Sequence, residues 1–139
     1  MSSIVGRGAV AAAEQSGIDL LMIDDDADLM RLMQRASTRA GHRFVGVADA
    51  WGALDALSRQ TFDLLLVDMN IPGTGGTEIL GEIRAAGHSA PAIVLTGDIG
   101  SVNLDSLRSL GVVATAEKSS DFERLMRAVD EAVRGDQAA

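Results

Sequence analysis

Residues 62–76 read FDLLLVDMNIPGTGG. The apolar run 64–67 is short and has no polar side, which is typical of a strand covered by helices on both faces. Asp68 ends this run. The residues after it are of types that form turns: Asn70, Pro72, Gly73, Gly75 and Gly76. We therefore expect Asp68 to lie at the C-terminal end of a buried strand, facing a loop.

The same ending recurs along the chain. LLMI runs into Asp24-Asp25-Asp26, AIVL runs into Thr96, and VVATA runs into Glu117-Lys118. Segments of helical length and period separate these runs, and this alternation predicts a parallel sheet with right-handed crossovers. Because all strands of such a sheet end at one edge, carboxylates, a hydroxyl and an ammonium should share a single rim.

The hydrophobic pattern predicts an α/β fold of five strand–helix units, (βα)5, in one domain over residues 18–135. Residues 1–17 are expected to be a flexible leader or linker, because they carry Gly, Ser and a run of Ala but no sustained apolar face. Arg7 interrupts their short apolar stretch and argues against a secretory signal. Residues 136–139 are expected to be a disordered tail. The predicted strands are Asp19–Ile23, Phe44–Val47, Leu64–Val67, Ala92–Leu95 and Val112–Ala116. The predicted helices are 26–39, a short one after Asp49, Thr77–Ala86, a weak one over Ser101–Leu110, and 121–134.

Apolar faces and caps support these helices. Asp26 and Asp49 are placed as N-caps. The first helix should bury Leu29, Leu32, Met33, Ala36 and Ala40, and the second Trp51, Leu54 and Leu57. His42 and His88 fall in loops and are expected to be solvated surface residues.

Composition excludes several classes of function. A net charge of −8 and only four Phe and Trp residues argue against a nucleic-acid surface. No apolar run approaches the ~20 residues of a membrane span. The chain has no cysteine, which suits a cytoplasmic protein. Eleven of its twelve basic residues are arginine, so Lys118, at a strand end, is the exception.

Asp24, Asp25 and Asp68 should end neighbouring strands. Clustered carboxylates repel one another, so at neutral pH they share a proton or take up a cation. Oxygen ligands without His or Cys favour a hard ion, for which Mg²⁺ is the default.

These residues resemble the receiver domain of two-component response regulators, over about residues 18–133. The resemblance rests on the Asp24-Asp25 pair, on Asp68 within VDMNIPGTGG with Pro72 and Gly76 at the family's spacing, on Thr96 before the small Gly97, and on Lys118. It implies a doubly wound, flavodoxin-like sheet in the order 2-1-3-4-5 with helices on both faces.

The resemblance also implies a function and the roles of single residues. Asp68 would take a phosphoryl group from a phosphohistidine of a histidine kinase or a histidine phosphotransfer protein. Asp25 and Asp68 would bind Mg²⁺ directly, Asp24 mostly through water, and the backbone carbonyl of Asn70 would complete the ligand set. Thr96 and Lys118 would contact the phosphoryl group. The domain would then be a signalling module, not an enzyme beyond its own phosphorylation and dephosphorylation.

A protein partner downstream would bind the face formed by the fourth helix, fifth strand and fifth helix; no nucleic-acid or membrane partner is expected. Two departures bear on this output. Ser119 stands where the family usually has proline after the lysine, and Thr115 stands where it has Tyr or Phe.

Two alternatives remain open. The first is a pseudo-receiver, an unphosphorylated docking module of the same fold. The second is a haloacid-dehalogenase-like phosphatase, suggested by Asp24-x-Asp26 and disfavoured because Asp98 is the lone acid beyond strand four. The sequence does not identify the kinase, or distinguish a stand-alone regulator from part of a hybrid kinase.

Overall fold

A computed structural model describes residues 17–71, 73, 75–97, 100, 102–118 and 122–138, with side chains of the last segment described over 124–134. The strands are β1 (Asp19–Ile23), β2 (Arg43–Val47), β3 (Leu64–Asp68), β4 (Ala92–Thr96) and β5 (Val112–Glu117). The helices are α1 (Ala27–Arg39), α2 (Ala50–Arg59), α3 (Gly76–Ala85), α4 (Leu104–Leu107) and α5 (Phe122–Ala138), and a 3₁₀ turn (Arg108–Leu110) follows α4.

The five strands form one parallel sheet in the order β2-β1-β3-β4-β5, which confirms the predicted topology. All five residues of β3 are buried, as its uninterrupted apolar run predicts. Alternate residues of the central strands face two separate cores. One core lies beneath α2, α3 and α4 and contains Leu65 and Val67, whereas the other lies beneath α1 and α5 and contains Leu64 and Leu66.

Side-chain caps fix where the first two helices begin. Asp26 Oδ1 accepts hydrogen bonds from the backbone N–H groups of Asp28 and Leu29, both at 3.1 Å. Asp49 Oδ1 accepts one from Gly52 N at 2.8 Å. Both predicted N-caps are therefore confirmed. Because Asp26 caps α1 only three residues after β1 ends, it also fixes the short loop that carries Asp24 and Asp25.

Trp51 is not buried, so that prediction is wrong. Its relative exposure is 85%. The buried residues of α2 are Ala53 and Leu57, one helical turn apart, and Trp51 lies two residues before Ala53, about 200° away around the helix. The hydrophobic pattern also overestimated burial in the first helix. Leu32 is 42% exposed and Ala40, which follows α1, is exposed, whereas Leu29 and Met33 are buried as predicted.

His42 is buried, which corrects the prediction of a solvated surface residue. Its Nδ1 accepts a hydrogen bond from Ile18 N at 3.2 Å, and its Nε2 lies 3.8 Å from Asp130 Oδ1 on α5. The imidazole therefore joins the start of β1 to the loop before β2. His88 is partly buried in the loop before β4, where its carbonyl accepts a hydrogen bond from Arg84 Nη1 at 3.0 Å.

The fourth and fifth helices differ in length from their predictions. The helix expected over Ser101–Leu110 has four α-helical residues, begins after the Asn103 cap and ends in the 3₁₀ turn. The α5 helix continues through residue 138, where a disordered tail was expected from residue 136. Of the expected leader at residues 1–17, residues 1–16 lie outside the described residues, as do Ser101 and Asp121. Within those residues, no helix combines the length and apolar character that crossing a membrane requires.

The exposure of Trp51 gives a direct test of this fold. We expect acrylamide to quench its fluorescence nearly as well as that of free tryptophan. Trp51→Ala should change the free energy of unfolding by less than about 0.5 kcal/mol. The fully buried Leu66 is the contrast, since Leu66→Ala should cost about 2–5 kcal/mol in urea unfolding. A loss of more than 2 kcal/mol in Trp51→Ala would place the indole in the core instead.

Candidate phosphoacceptor site

Four polar side chains come from the C-terminal ends of four adjacent strands. Asp24 follows β1, Asp68 ends β3, Thr96 ends β4, and Lys118 follows β5. Backbone hydrogen bonds hold these ends in line: Asp24 N donates to Val47 O at 3.0 Å, and Lys118 N donates to Thr96 O at 2.7 Å. The sheet therefore assembles at one edge residues that lie up to 94 positions apart.

Lys118 joins two of the predicted acids. Its ammonium Nζ lies 3.1 Å from Asp24 Oδ1 and 3.1 Å from Asp68 Oδ2. The two carboxylates are almost fully buried, with side-chain exposures of 0% and 3%, and the lysine side chain is 25% exposed. Charge-assisted hydrogen bonds with so little water nearby are strong, and they fix the spacing of the two acids.

The turns after the strands supply further donors. Asp68 Oδ1 accepts from Asn70 N at 3.1 Å, and Asp24 Oδ1 accepts from Asp26 N at 2.9 Å. One oxygen remains without a partner: Asp24 Oδ2 is buried and has no hydrogen bond. A buried carboxylate oxygen is costly to leave unpaired, so this atom indicates a ligand that the carboxylate is arranged to meet.

The local electrostatics agree with this geometry. Burial raises the pKa of Asp24, with a smaller contribution from the nearby charge of Asp68, against the opposing hydrogen bonds of Asp26 N and Lys118. Burial acts to lower the pKa of Lys118, but its hydrogen bonds to Asp24 and Asp68 outweigh it, and the pKa is raised. Lys118 is therefore a fixed positive charge at neutral pH, while Asp24 is a carboxylate held at an energetic cost.

The residues present fit a hard divalent cation. Asp24, Asp25 and Asp68 each offer a carboxylate oxygen, and these three oxygens lie within 4.8 Å of one another. Asp25 is exposed, so the group opens to solvent on one side. A set made of oxygen atoms suits Mg²⁺, and the unpaired Asp24 Oδ2 adds an atom whose charge a cation would offset.

The other residues singled out from the sequence lie outside this acidic group. Thr96 is buried at the end of β4, next to the strand of Asp68. Asn70 contributes its N–H to Asp68, a contact that the sequence did not predict. Pro72 and Ser119 lie outside the described residues, and Thr115 is partly buried in β5.

Gly76 supports the site in a way that its spacing alone did not reveal. A Cβ atom built on Gly76 would lie 2.4 Å from Asp68 O and 3.0 Å from Met69 Cα, so only glycine lets α3 start this close to the end of β3. Gly76 N also donates to Met69 O at 3.0 Å. The available signal was a glycine directly before the predicted helix Thr77–Ala86, at the end of a glycine-rich loop.

Comparison with known proteins agrees with this fold and site. A family profile described as response regulator receiver domain matches residues 20–130. The chain therefore belongs to the receiver domain family of response regulators.

Individual relatives are of several kinds. The transcriptional regulatory protein TcrA of Mycobacterium tuberculosis is 32% identical over 92 residues, 66% of this chain and 36% of TcrA. The sensor histidine kinase AruS of Pseudomonas aeruginosa is 29% identical over 124 residues, 86% of this chain and 12% of AruS. The crystal structure of response regulator TrrA of Thermotoga maritima, in complex with Mg²⁺-BeF, superposes with a TM-score of 0.69 at 26% identity, covering 81% of this chain and 96% of that one.

This chain spans about a third of TcrA and about an eighth of AruS. Their whole activities are therefore not carried over to this chain. None of these comparisons supports the alternative of an unphosphorylated docking module.

The close approach of Gly76 to Asp68 can be tested against a second glycine of the same helix. We expect Gly76→Ala to lower the free energy of unfolding by about 1–3 kcal/mol, because the methyl group meets backbone atoms. Gly81→Ala meets no atom within 4 Å and should stabilise α3 by up to about 1 kcal/mol. Urea unfolding of both variants gives the comparison. Equal effects at the two positions would contradict this role of Gly76.

The cost of the buried Asp24 charge gives a second test. An acid whose pKa is raised by folding destabilises the fold as the pH rises above its ordinary value of 3.8, and fully so above the raised pKa. At pH 7 without divalent cations, Asp24→Asn should therefore melt at a higher temperature than the unchanged chain. Added Mg²⁺ should stabilise the unchanged chain more than this variant.

Asp28→Asn is the matched control for that measurement, since Asp28 is an exposed carboxylate in the first turn of α1. Its thermal response to Mg²⁺, read by differential scanning fluorimetry with and without chelator, should equal that of the unchanged chain. An Asp24→Asn variant that melts below the unchanged chain in chelator would show that the Lys118 pairing outweighs the burial cost.

Proposed function

We propose that Asp68 accepts a phosphoryl group from a phosphohistidine and that the resulting acyl phosphate is the signal. The observation that carries this proposal is the placement of Lys118 Nζ 3.1 Å from both Asp24 Oδ1 and Asp68 Oδ2, beside the unpaired Asp24 Oδ2. Asp68 is thus a buried carboxylate beside the ammonium of Lys118. The neighbouring acids Asp24 and Asp25 could hold a metal cation next to it. Phosphoryl transfer requires such positioning and charge stabilisation.

Asp68 is the nucleophile in this proposal. Its two oxygens have different partners, since Oδ1 accepts from Asn70 N and Oδ2 from Lys118 Nζ. These contacts hold the carboxylate in one orientation at the end of a fully buried strand. A nucleophile fixed in this way loses little entropy when the phosphorus approaches.

The transfer makes one bond and breaks one. A carboxylate oxygen of Asp68 forms the new O–P bond, while the P–N bond of the phosphohistidine breaks and its electron pair remains on the imidazole nitrogen. Negative charge spreads over the three equatorial oxygens. The raised pKa of Lys118 keeps its ammonium charged for this step, and we assign it to pair with a phosphoryl oxygen. The hydroxyl of Thr96 is assigned to donate to another.

Asp24, Asp25 and Asp68, with the backbone carbonyl of Asn70, would hold Mg²⁺. When bound, the ion supplies positive charge against the phosphoryl oxygens and the acids. Following the family resemblance, we assign Asp25 and Asp68 to direct ligation and Asp24 mostly to ligation through water. Asp25 is exposed and therefore accessible to an ion from solvent. The TrrA structure, in complex with Mg²⁺-BeF, supports the choice of ion.

The phosphodonor in this proposal is a histidine kinase or a histidine phosphotransfer protein, since the family acts in two-component systems. We assign the output to a protein that binds the face formed by α4, β5 and α5, with no direct contact to nucleic acid or membrane. Thr115 stands on this face where the family usually has Tyr or Phe, so the face lacks an aromatic side chain at that position. The α4 helix on the same face has only four residues. The domain acts only on its own phosphorylation and dephosphorylation, and we place it in the cytoplasm.

The assignment of Asp68 is tested by mass spectrometry after incubation with acetyl phosphate and Mg²⁺. The unchanged chain should gain one phosphoryl group, and Asp68→Asn should gain none. Chelator should abolish labelling of the unchanged chain. Asp55→Asn, which alters an exposed carboxylate on α2, is the control and should be labelled normally. Label that persists in Asp68→Asn would assign the acceptor to another acid.

A further inference from the structure

Trp51 is the most exposed large hydrophobic side chain of the described residues. It is 85% exposed and is the single tryptophan of the chain. It contributes little to the core, and the pocket around Asp68 does not use it. Water-exposed indoles are uncommon, and tryptophan, like tyrosine and arginine, is enriched among the side chains that dominate binding at protein interfaces.

The sheet places Trp51 on the same edge as the phosphoacceptor pocket. Val47, the last residue of β2, is in register with Ile23, which is in register with Val67, the residue before Asp68. Neighbouring strands lie about 4.8 Å apart, so the ends of β2 and β3 are separated by about 10 Å. Trp51 follows four residues after Val47, in the first turn of α2.

This separation is small compared with a protein interface. A typical interface covers about 800 Å² on each partner, which corresponds to a disc of about 16 Å radius. A protein that brings a phosphohistidine to Asp68 therefore has the start of α2 within its reach.

A groove lies next to the pocket. Its volume is about 320 Å³, and its lining includes Asp24, Asp25 and Ala48, which lies two residues before α2. Much of its lining is apolar, and the further lining residues are Ala27, Met30, Arg31, Gln34, Gly46 and Val47. The groove thus lies between α1 and the end of β2, borders the loop that leads into α2, and offers a docked segment a concave surface beside the pocket.

The charges around Trp51 define the chemistry of that segment. Asp49 and Asp55 are exposed on either side of Trp51, and Asp55 lies one helical turn beyond it, where it also pairs with Arg59. Asp25, which lines the groove, is also exposed. An aromatic face among carboxylates, in a chain with a net charge of −8, attracts an arginine or lysine side chain.

We infer that Trp51 is a docking anchor for the phosphohistidine-bearing partner and holds a cationic side chain of that partner against its indole ring. This inference rests on the proposed function, because it assigns a surface to the protein that phosphorylates Asp68. Trp51 takes no part in the chemistry and acts only on the encounter.

Two phosphodonors separate docking from chemistry. Acetyl phosphate is small and needs only the pocket, whereas a kinase also needs the surface. The kinase is found by screening the purified histidine kinases of the source organism, one at a time, for transfer to the unchanged chain. Trp51→Ala should lower kcat/KM for transfer from that kinase by about tenfold or more, through KM, and leave labelling by acetyl phosphate unchanged.

Three further variants sharpen the test. Trp51→Phe keeps an aromatic face and should retain most of the transfer rate, whereas Trp51→Leu keeps only apolar bulk and should behave as Trp51→Ala does. Val113→Ala is the matched control, because Val113 is 51% exposed but lies five residues before Lys118, about 16 Å from the pocket edge along β5. It should change neither rate.

Several results would overturn this inference. If the kinase transfers to Trp51→Ala at the unchanged rate, Trp51 is not a docking anchor. If labelling falls equally with both donors, Trp51 supports the pocket or the fold and does not dock the kinase. If Trp51→Leu accepts the phosphoryl group from the kinase at the full rate, a cationic side chain on the indole ring is not what Trp51 binds. A dimer that is lost in Trp51→Ala while transfer is unchanged would assign the surface to a second copy. If no kinase labels a chain that acetyl phosphate labels, the docking inference fails alone; if neither donor labels it, the proposed function fails as well.

Discussion

The site depends on a single ammonium group placed between two buried carboxylates. Lys118 comes from beyond β5, and the acids come from the ends of β1 and β3, so this contact exists only when the sheet has its full strand order. Without the lysine, two carboxylates would share a nearly dry pocket, which is unfavourable unless one is protonated. The binding of a cation and the folding of the sheet are therefore linked through the same few atoms.

Much of this arrangement could be predicted from the sequence. The run 64–67 identified the central strand because a strand buried on both faces has no polar positions. The acids and the lysine were predicted to share one edge because each lies at or directly after the end of a predicted strand. Asp26 and Asp49 were recognised as caps because a helix start leaves backbone N–H groups that a short acid can satisfy. These features are local, and local chemistry decides them.

Other features depend on packing that no local pattern specifies. The orientation of α2 exposes Trp51, although its position in the apolar pattern favoured burial, because Ala53 and Leu57 define the packed side. Burial of His42 depends on the amide of Ile18, which is distant in sequence. The pairing of Lys118 with Asp24 as well as Asp68, and the contact distance at Gly76, depend on where the strands end in three dimensions.

The hydrogen bond between Ile18 N and His42 Nδ1 fixes the backbone at the point where a preceding segment would join the domain. Parallel strands all start at one edge, so Ile18, directly before β1, lies across the sheet from Asp68. A segment fused ahead of Ile18 thus attaches on the far side of the molecule, and the buried imidazole holds the attachment point there. Such a fusion leaves the approach to Asp68 open, so tethering and recognition of a partner can evolve independently.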